Sequence, residues 1–218
     1  MIRFGRNCSE TTVPMGFSIV DNFDLGREPT RVEALVMLVR ALGEEQTALD
    51  GTWSHPFRDV PSWADAYVGY AYQNGLTNGV SADEFGTDNA SAAMYVTFML
   101  RALGYSDADG DFAWNDPFGL GRTVGIVTED VDLSRFLRAD VVEVSYAALD
   151  AKVKGGDITL ADRLIKAGVI PGSSWNREED GKTGIPDIFV RDPVVYEIPV
   201  QPKDPVLTES YEEPAIGD

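Results

Sequence analysis

Apolar side chains recur at spacings of three and four in three stretches of this chain. Leu35, Leu38 and Leu42 fall in register with Val96, Met99 and Leu103 at an offset of 61, and with Val142, Ser145 and Leu149 at an offset of 107. That spacing puts each set on one face of a helix and predicts long helices over about 30–43, 90–104 and 134–153. The strings Val39-Arg40-Ala41-Leu42-Gly43 and Leu100-Arg101-Ala102-Leu103-Gly104 differ at one position only, so the pattern is an internal repeat. A second unit also recurs. Gly75-Leu76, Gly125-Ile126 and Gly168-Val169 each follow a shorter helical stretch, at 62–74, 115–124 and 158–167. Glycine takes the left-handed position that ends a helix, and the next apolar side chain folds back onto the last turn. Three long and three short helices predict an all-α fold, a pseudo-threefold bundle of helix-loop-helix repeats, because no single pair buries its stripe alone. No short helix precedes the first long one and no long helix follows the last short one. The stretch 158–167 is therefore expected to pack beside 30–43 and close the ring.

Composition divides the chain into three regions and removes several functions. Residues 1–27 are turn-rich without a sustained period, 28–170 carry the repeats, and 171–218 hold seven of the twelve prolines with eleven acids against four bases. That tail reads as an extended linker, with Ile188-Phe189-Val190 to Val194-Val195-Tyr196 apolar enough to dock as an edge strand. With Cys8 and His55 as the only residues of their kinds, a Cys/His zinc cluster is impossible. A net charge of −18 argues against nucleic acid, and no apolar run approaches the roughly 18 residues of a membrane span. Met1-Ile2-Arg3-Phe4-Gly5-Arg6 is basic with no apolar stretch behind it, so no secretory signal is visible there.

The sharpest local motif is Glu28-Pro29-Thr30-Arg31-Val32-Glu33. Thr30 followed by Glu33 is a capping box, and Pro29 stops the helix from extending backwards. Arg31 is not needed for the cap, and a cation at a helix N-terminus is mildly unfavourable. Its guanidinium and the free N-terminal amides together suit a carboxylate.

Thr30-Arg31-Val32-Glu33 resembles the TRAE signature of S-layer homology (SLH) repeats. Pro56-Phe57-Arg58-Asp59-Val60-Pro61-Ser62-Trp63-Ala64, Gly75-Leu76-Thr77-Asn78-Gly79 and Phe85-Gly86 resemble the opening half of the same repeat. The resemblance covers about residues 28–170. It implies an extracellular protein attached noncovalently to the cell wall, as in surface proteins of Gram-positive anaerobes. Its partner is then pyruvylated secondary cell-wall polysaccharide, held in grooves between repeats with the signature arginine in contact. On this reading Arg31 and Arg138, each with its neighbouring acid, Glu33 or Asp140, bind the glycan carboxylate. Trp63 and the Gly75–Gly79 turn assist. The alternative is a protein-interaction or surface-assembly subunit that keeps the scaffold after losing glycan binding.

Departures from the pattern limit the sites to two at most. Ala92 and Met94 stand where the second repeat needs Arg and Glu, and the opening half of the third, Phe112-Ala113-Trp114-Asn115-Asp116-Pro117, lacks Asp-Val. Other motifs carry less. Trp63 and Tyr67 read as core, with Tyr70 and Tyr72 unable to share a face with both. Asp107-Ala108-Asp109-Gly110-Asp111 has Phe112 and Phe118 where an EF-hand needs Gly and Glu, so it reads as an inter-repeat loop. Gly119, Gly121 and Gly125 have the wrong spacing for a dinucleotide site, and His55 lacks a nucleophile partner. No catalytic residue, metal site or cofactor is expected.

Overall fold

The computed structural model describes residues 24–171, and the expected tail and edge strand at 172–218 lie outside them. Seven α-helices form among the described residues: α1 (Arg31–Ala41), α2 (Glu45–Asp50), α3 (Asp65–Gln73), α4 (Ala92–Ala102), α5 (Phe118–Thr123), α6 (Arg138–Ala148) and α7 (Leu160–Lys166). A 3₁₀ turn, Ser62–Ala64, leads into α3. No β-strand forms there, only isolated bridges such as Thr30–Asn89.

The three long helices have eleven residues each and pack pairwise on one another. Most of the positions that the repeat put in register are buried, with one exception in α6. Leu38, Met99 and Ser145 are buried, as are Leu42, Leu103 and Leu149; Val142 is half-buried, while its neighbour Val141 is fully covered. One polar pair sits inside this core. Ser145 Oγ donates to the Val141 carbonyl at 2.7 Å, so the Tyr95 hydroxyl, 2.6 Å away, is the donor to Ser145. Complete burial raises the Tyr95 phenol far above its ordinary pKa.

Shorter elements surround that trio. α3 lies against α1 and α2, and α5 against α4. Gly75, Gly125 and Gly168 all have φ between +71° and +86°. The amides of Leu76, Ile126 and Val169 close back on Ala71, Gly121 and Leu164, the helix ending expected from the glycine-aliphatic pairs.

Four expectations need correction. The third long helix starts at Arg138, not 134, because the Asp132 carboxylate accepts from the amides of Ser134 and Arg135 and turns the chain there. It ends at Ala148, where successive i−3 bonds tighten the chain into turns. The stretch 115–124 is helical only from Phe118, after the Ala113–Asp116 bridge and Pro117. The additional helix α2 has no counterpart in the repeat pattern. Finally, α7 does not lie alongside α1. It crosses the C-terminal ends of the long helices, with the Ala161 amide on Leu149 O, Arg163 Nη2 on Ala102 O, and Val169 filling the space above Gly43.

The segment before α1 is bonded to the entry of α6. Arg138 N–H donates to Arg27 O at 2.9 Å and Ala139 N–H to Leu25 O at 3.1 Å. The same bond joins Arg31 N–H to Asp88 O, at 2.8 Å, where the lead into α4 crosses α1.

Tyr95→Phe removes one bond from the buried pair but leaves Ser145 bonded to Val141. The expected cost is about 1 kcal/mol of unfolding free energy with an unchanged urea m-value. Urea titration of the two chains measures it.

Candidate functional site

The cleft of interest is built where the N-terminus of α1 meets α4. Thr30 and Glu33 close the capping box, with Glu33 N–H on Thr30 Oγ1 at 3.2 Å and Thr30 N–H on Glu33 Oε2 at 2.8 Å. The lead into α4 pins this end from outside, through Arg31 N–H on Asp88 O and Ala90 N–H on Pro29 O. The loop between α3 and α4 is drawn in by Asp59, whose two oxygens accept from the amides of Phe85 and Gly86 at 2.7 and 2.8 Å. Burial works against that charge, yet the two amides outweigh it and hold the carboxyl below its ordinary range.

These contacts place the Arg31 side chain between two rings. Its guanidinium carbon lies 4.9 Å from the centroids of both Phe85 and Phe98. The residue is 7% exposed. Nη2 reaches Thr77 Oγ1 at 3.4 Å, and Nε is buried with no hydrogen-bond partner among the described residues. Burial, then the neighbouring Arg101 charge, push the guanidinium down to about 10, with Asp59 opposing. It remains a cation at neutral pH. Two aromatic faces return about 2 kcal/mol or somewhat more to a desolvated cation, against a desolvation penalty of several kcal/mol.

Arg31 lines a cleft of about 640 Å³, within the usual range for small-molecule sites. Asn78, Gly79 and Val80 form one wall, and Met94, Thr97, Phe98 and Arg101 of α4 another. Trp114 and Asn115 stand on the rim. Arg101 is neutralised by Asp107 through two bonds of 2.8 and 2.7 Å, and that pairing holds the Asp107 carboxyl low. With its amide oxygen turned toward Arg101, Asn78 accepts from Nη2 at 3.1 Å. Gly79 has φ +73°, and a Cβ there would run into the Phe57 ring and come within 2.6 Å of Glu84 O. The wall can approach this closely only as glycine.

Of the residues expected from sequence, Arg31 and Gly79 meet at this cleft. The others do not. Glu33 is held by the cap and by a two-bond pair with Arg27 at 2.8 and 2.9 Å. Asp140 is buried and accepts from the amides of Leu137 and Asp132 at 2.7 and 2.9 Å, so it fixes the entry to α6. Arg138 sits half-buried at that entry, where burial lowers its pKa and the charges of Glu33, Arg27 and Asp24 surround it. Trp63 is 42% exposed on the 3₁₀ turn instead of in the core, and Gly75 ends α3 away from the cleft. Two of the expected N-terminal amides, Arg31 N–H and Glu33 N–H, are bonded within the protein.

Sequence reasoning missed Asn78, Arg101, Asp107 and Trp114. One signal was readable. Arg40 and Arg101 close equivalent repeats and each pairs with an acid just beyond its helix, Glu45 at 2.7 Å and Asp107. The acids of the 107–111 loop serve the same end, with Asp111 accepting from Ser106 N–H and Lys154 Nζ, both at 2.6 Å. Among the described residues no cluster of acids, His and Cys could hold a metal ion.

Residues 56–90 match the family model of the S-layer homology domain. The matched span runs through Asp59, α3 and the Gly75–Gly79 turn to the residue before the α4 cap, so the segment that resembles an S-layer homology domain forms one wall of the cleft. Such domains are anchoring modules of the cell wall and cell surface, and the family is a binding family, not an enzymatic one. Comparison with curated proteins gives no match. No helix among the described residues is long and apolar enough to cross a membrane.

A purely structural arginine and a ligand-binding one respond differently to replacement. Arg31→Met keeps the length and the ring contacts while removing an under-bonded buried charge. Its unfolding free energy is expected to lie within about 1 kcal/mol of the parent or above it. A loss of more than about 3 kcal/mol by urea denaturation contradicts this.

Proposed function

We propose that the chain is a noncovalent anchoring module of the cell wall or cell surface. In this reading the cleft between α1 and α4 holds an anionic secondary wall polysaccharide through a sugar carboxylate, such as that of a pyruvate ketal, at Arg31. One observation carries it: Arg31, 7% exposed, with its guanidinium against two rings and bonded to no carboxylate among the described residues, lines an open cleft. A carboxylate entering there meets a cation already stripped of water, the setting in which a charge-assisted bond is strongest.

The same reading takes the three equal long helices as three repeats about a common axis, with one of the grooves equipped. At Arg138 the neighbouring carboxylates of Glu33 and Asp24 repel a second anion. Net charge opposes the encounter at long range, since a chain of −18 repels an acidic polymer. Beyond a Debye length of about 8 Å that repulsion is screened, and the cleft decides the contact. The rival reading, an assembly subunit on a retained scaffold, draws on Ala92 and Met94, which leave the α4 N-terminus without an arginine.

Sedimentation with purified cell walls tests the proposal. The parent chain is expected in the pellet and Arg31→Met is expected to bind at least about tenfold more weakly, while Arg138→Ala changes binding less than about twofold. Walls stripped of pyruvate are expected to release the parent. Equal binding of Arg31→Met removes Arg31 from the site. No wall binding, with concentration-dependent self-association, establishes the rival.

A further inference from the structure

A bare anion site needs only a cation, yet this cleft is bordered by exposed apolar surface. Trp114 is 66% exposed and Val80 59% exposed, and both line it together with the half-buried Met94. These apolar groups stand together at the mouth of a charged cleft, an arrangement that marks ligand grooves.

Trp114 is also held in place. The turn carrying it is closed by Asp116 N–H on Ala113 O at 2.9 Å, and its own carbonyl accepts from Thr97 Oγ1 at 3.1 Å. The backbone is therefore fixed to α4 while the indole stays free. The residue occupies a telling position. Counting from Phe57 and Phe112, Trp114 stands where Asp59 stands in the matched domain. Asp59 spends its carboxylate on two loop amides; Trp114 has no such duty and faces the cleft.

We infer that Trp114 is the platform on which one face of a sugar ring stacks while that sugar's carboxylate meets Arg31. The inference rests on the anchoring reading and narrows it. The ligand is an acidic saccharide with an apolar ring face, not a free carboxylate or an inorganic anion. The Arg101–Asp107 pair, which lines the same cleft, offers a donor and an acceptor side by side, which suits adjacent hydroxyls of the same ring.

The experiment is a fluorescence and equilibrium titration of the full chain with wall polysaccharide released from purified sacculi by hydrofluoric acid. Trp114→Ala is expected to weaken binding about three- to tenfold and Trp114→Phe to restore it to within about twofold. The parent's emission shifts to the blue on binding, and Trp114→Phe loses that shift while still binding. Free pyruvate is expected to bind the parent and Trp114→Ala equally. Parent binding that is weakened by Arg31→Met but untouched by Trp114→Ala overturns the platform and leaves the anchoring reading standing. A Trp114 effect without an Arg31 effect keeps the platform and removes the carboxylate contact. A parent chain that does not bind the polymer overturns both.

Discussion

An arginine cation stripped of water and left one anion short is the constraint on which the rest of this structure depends. The Arg31 guanidinium lies between Phe85 and Phe98, with a weak bond to Thr77 and an unpartnered Nε. Aromatic faces offset part of the desolvation, but a buried charge is fully compensated only by an opposite charge in good geometry. None of the described residues supplies one at bonding distance. Asp59, the acid that faces Arg31 electrostatically, has both oxygens committed to backbone amides. Holding the neighbouring acid occupied is what keeps the cation available.

The surrounding fold serves that arrangement. Packing of three equal helices fixes α1 against α4. The bonds from Arg31 N–H to Asp88 and from Ala90 N–H to Pro29 set the distance between the α1 N-terminus and the wall opposite it. A glycine at position 79 lets the loop close over Phe57, which in turn packs on Phe85, with ring centroids 5.8 Å apart. Cation, rings and loop are thus positioned by elements that share one core.

Much of the helical layout was legible because period and glycine punctuation are local signals. The heptad-like positions of α1, α4 and α6, the Thr30–Glu33 box and the glycine-aliphatic endings each depend on a few neighbouring residues. The failures were of two kinds. Helix ends moved where a side chain competed for the backbone, as Asp132 does ahead of α6. The site was half legible. Arg31 stood out as a residue the cap did not need, but its partners Thr77, Phe85 and Phe98, and the Trp114 that lines the same cleft, come from other parts of the chain. Glu33, Asp140 and Arg138 repeat the motif's letters in environments that use them for caps and ion pairs. A motif names a residue type at a position; only packing decides whether that residue faces a ligand or its own chain.

Nuclear magnetic resonance observes the Arg31 side chain directly. The Arg31 Nε–Hε resonance, assigned by its loss in Arg31→Met, is followed while wall polysaccharide is added to labelled chain. With Arg31 as the anion contact, this signal moves and saturates together with binding, while the Arg27 and Arg138 side-chain signals stay in place. A polymer that binds and leaves the Arg31 resonance unmoved contradicts it.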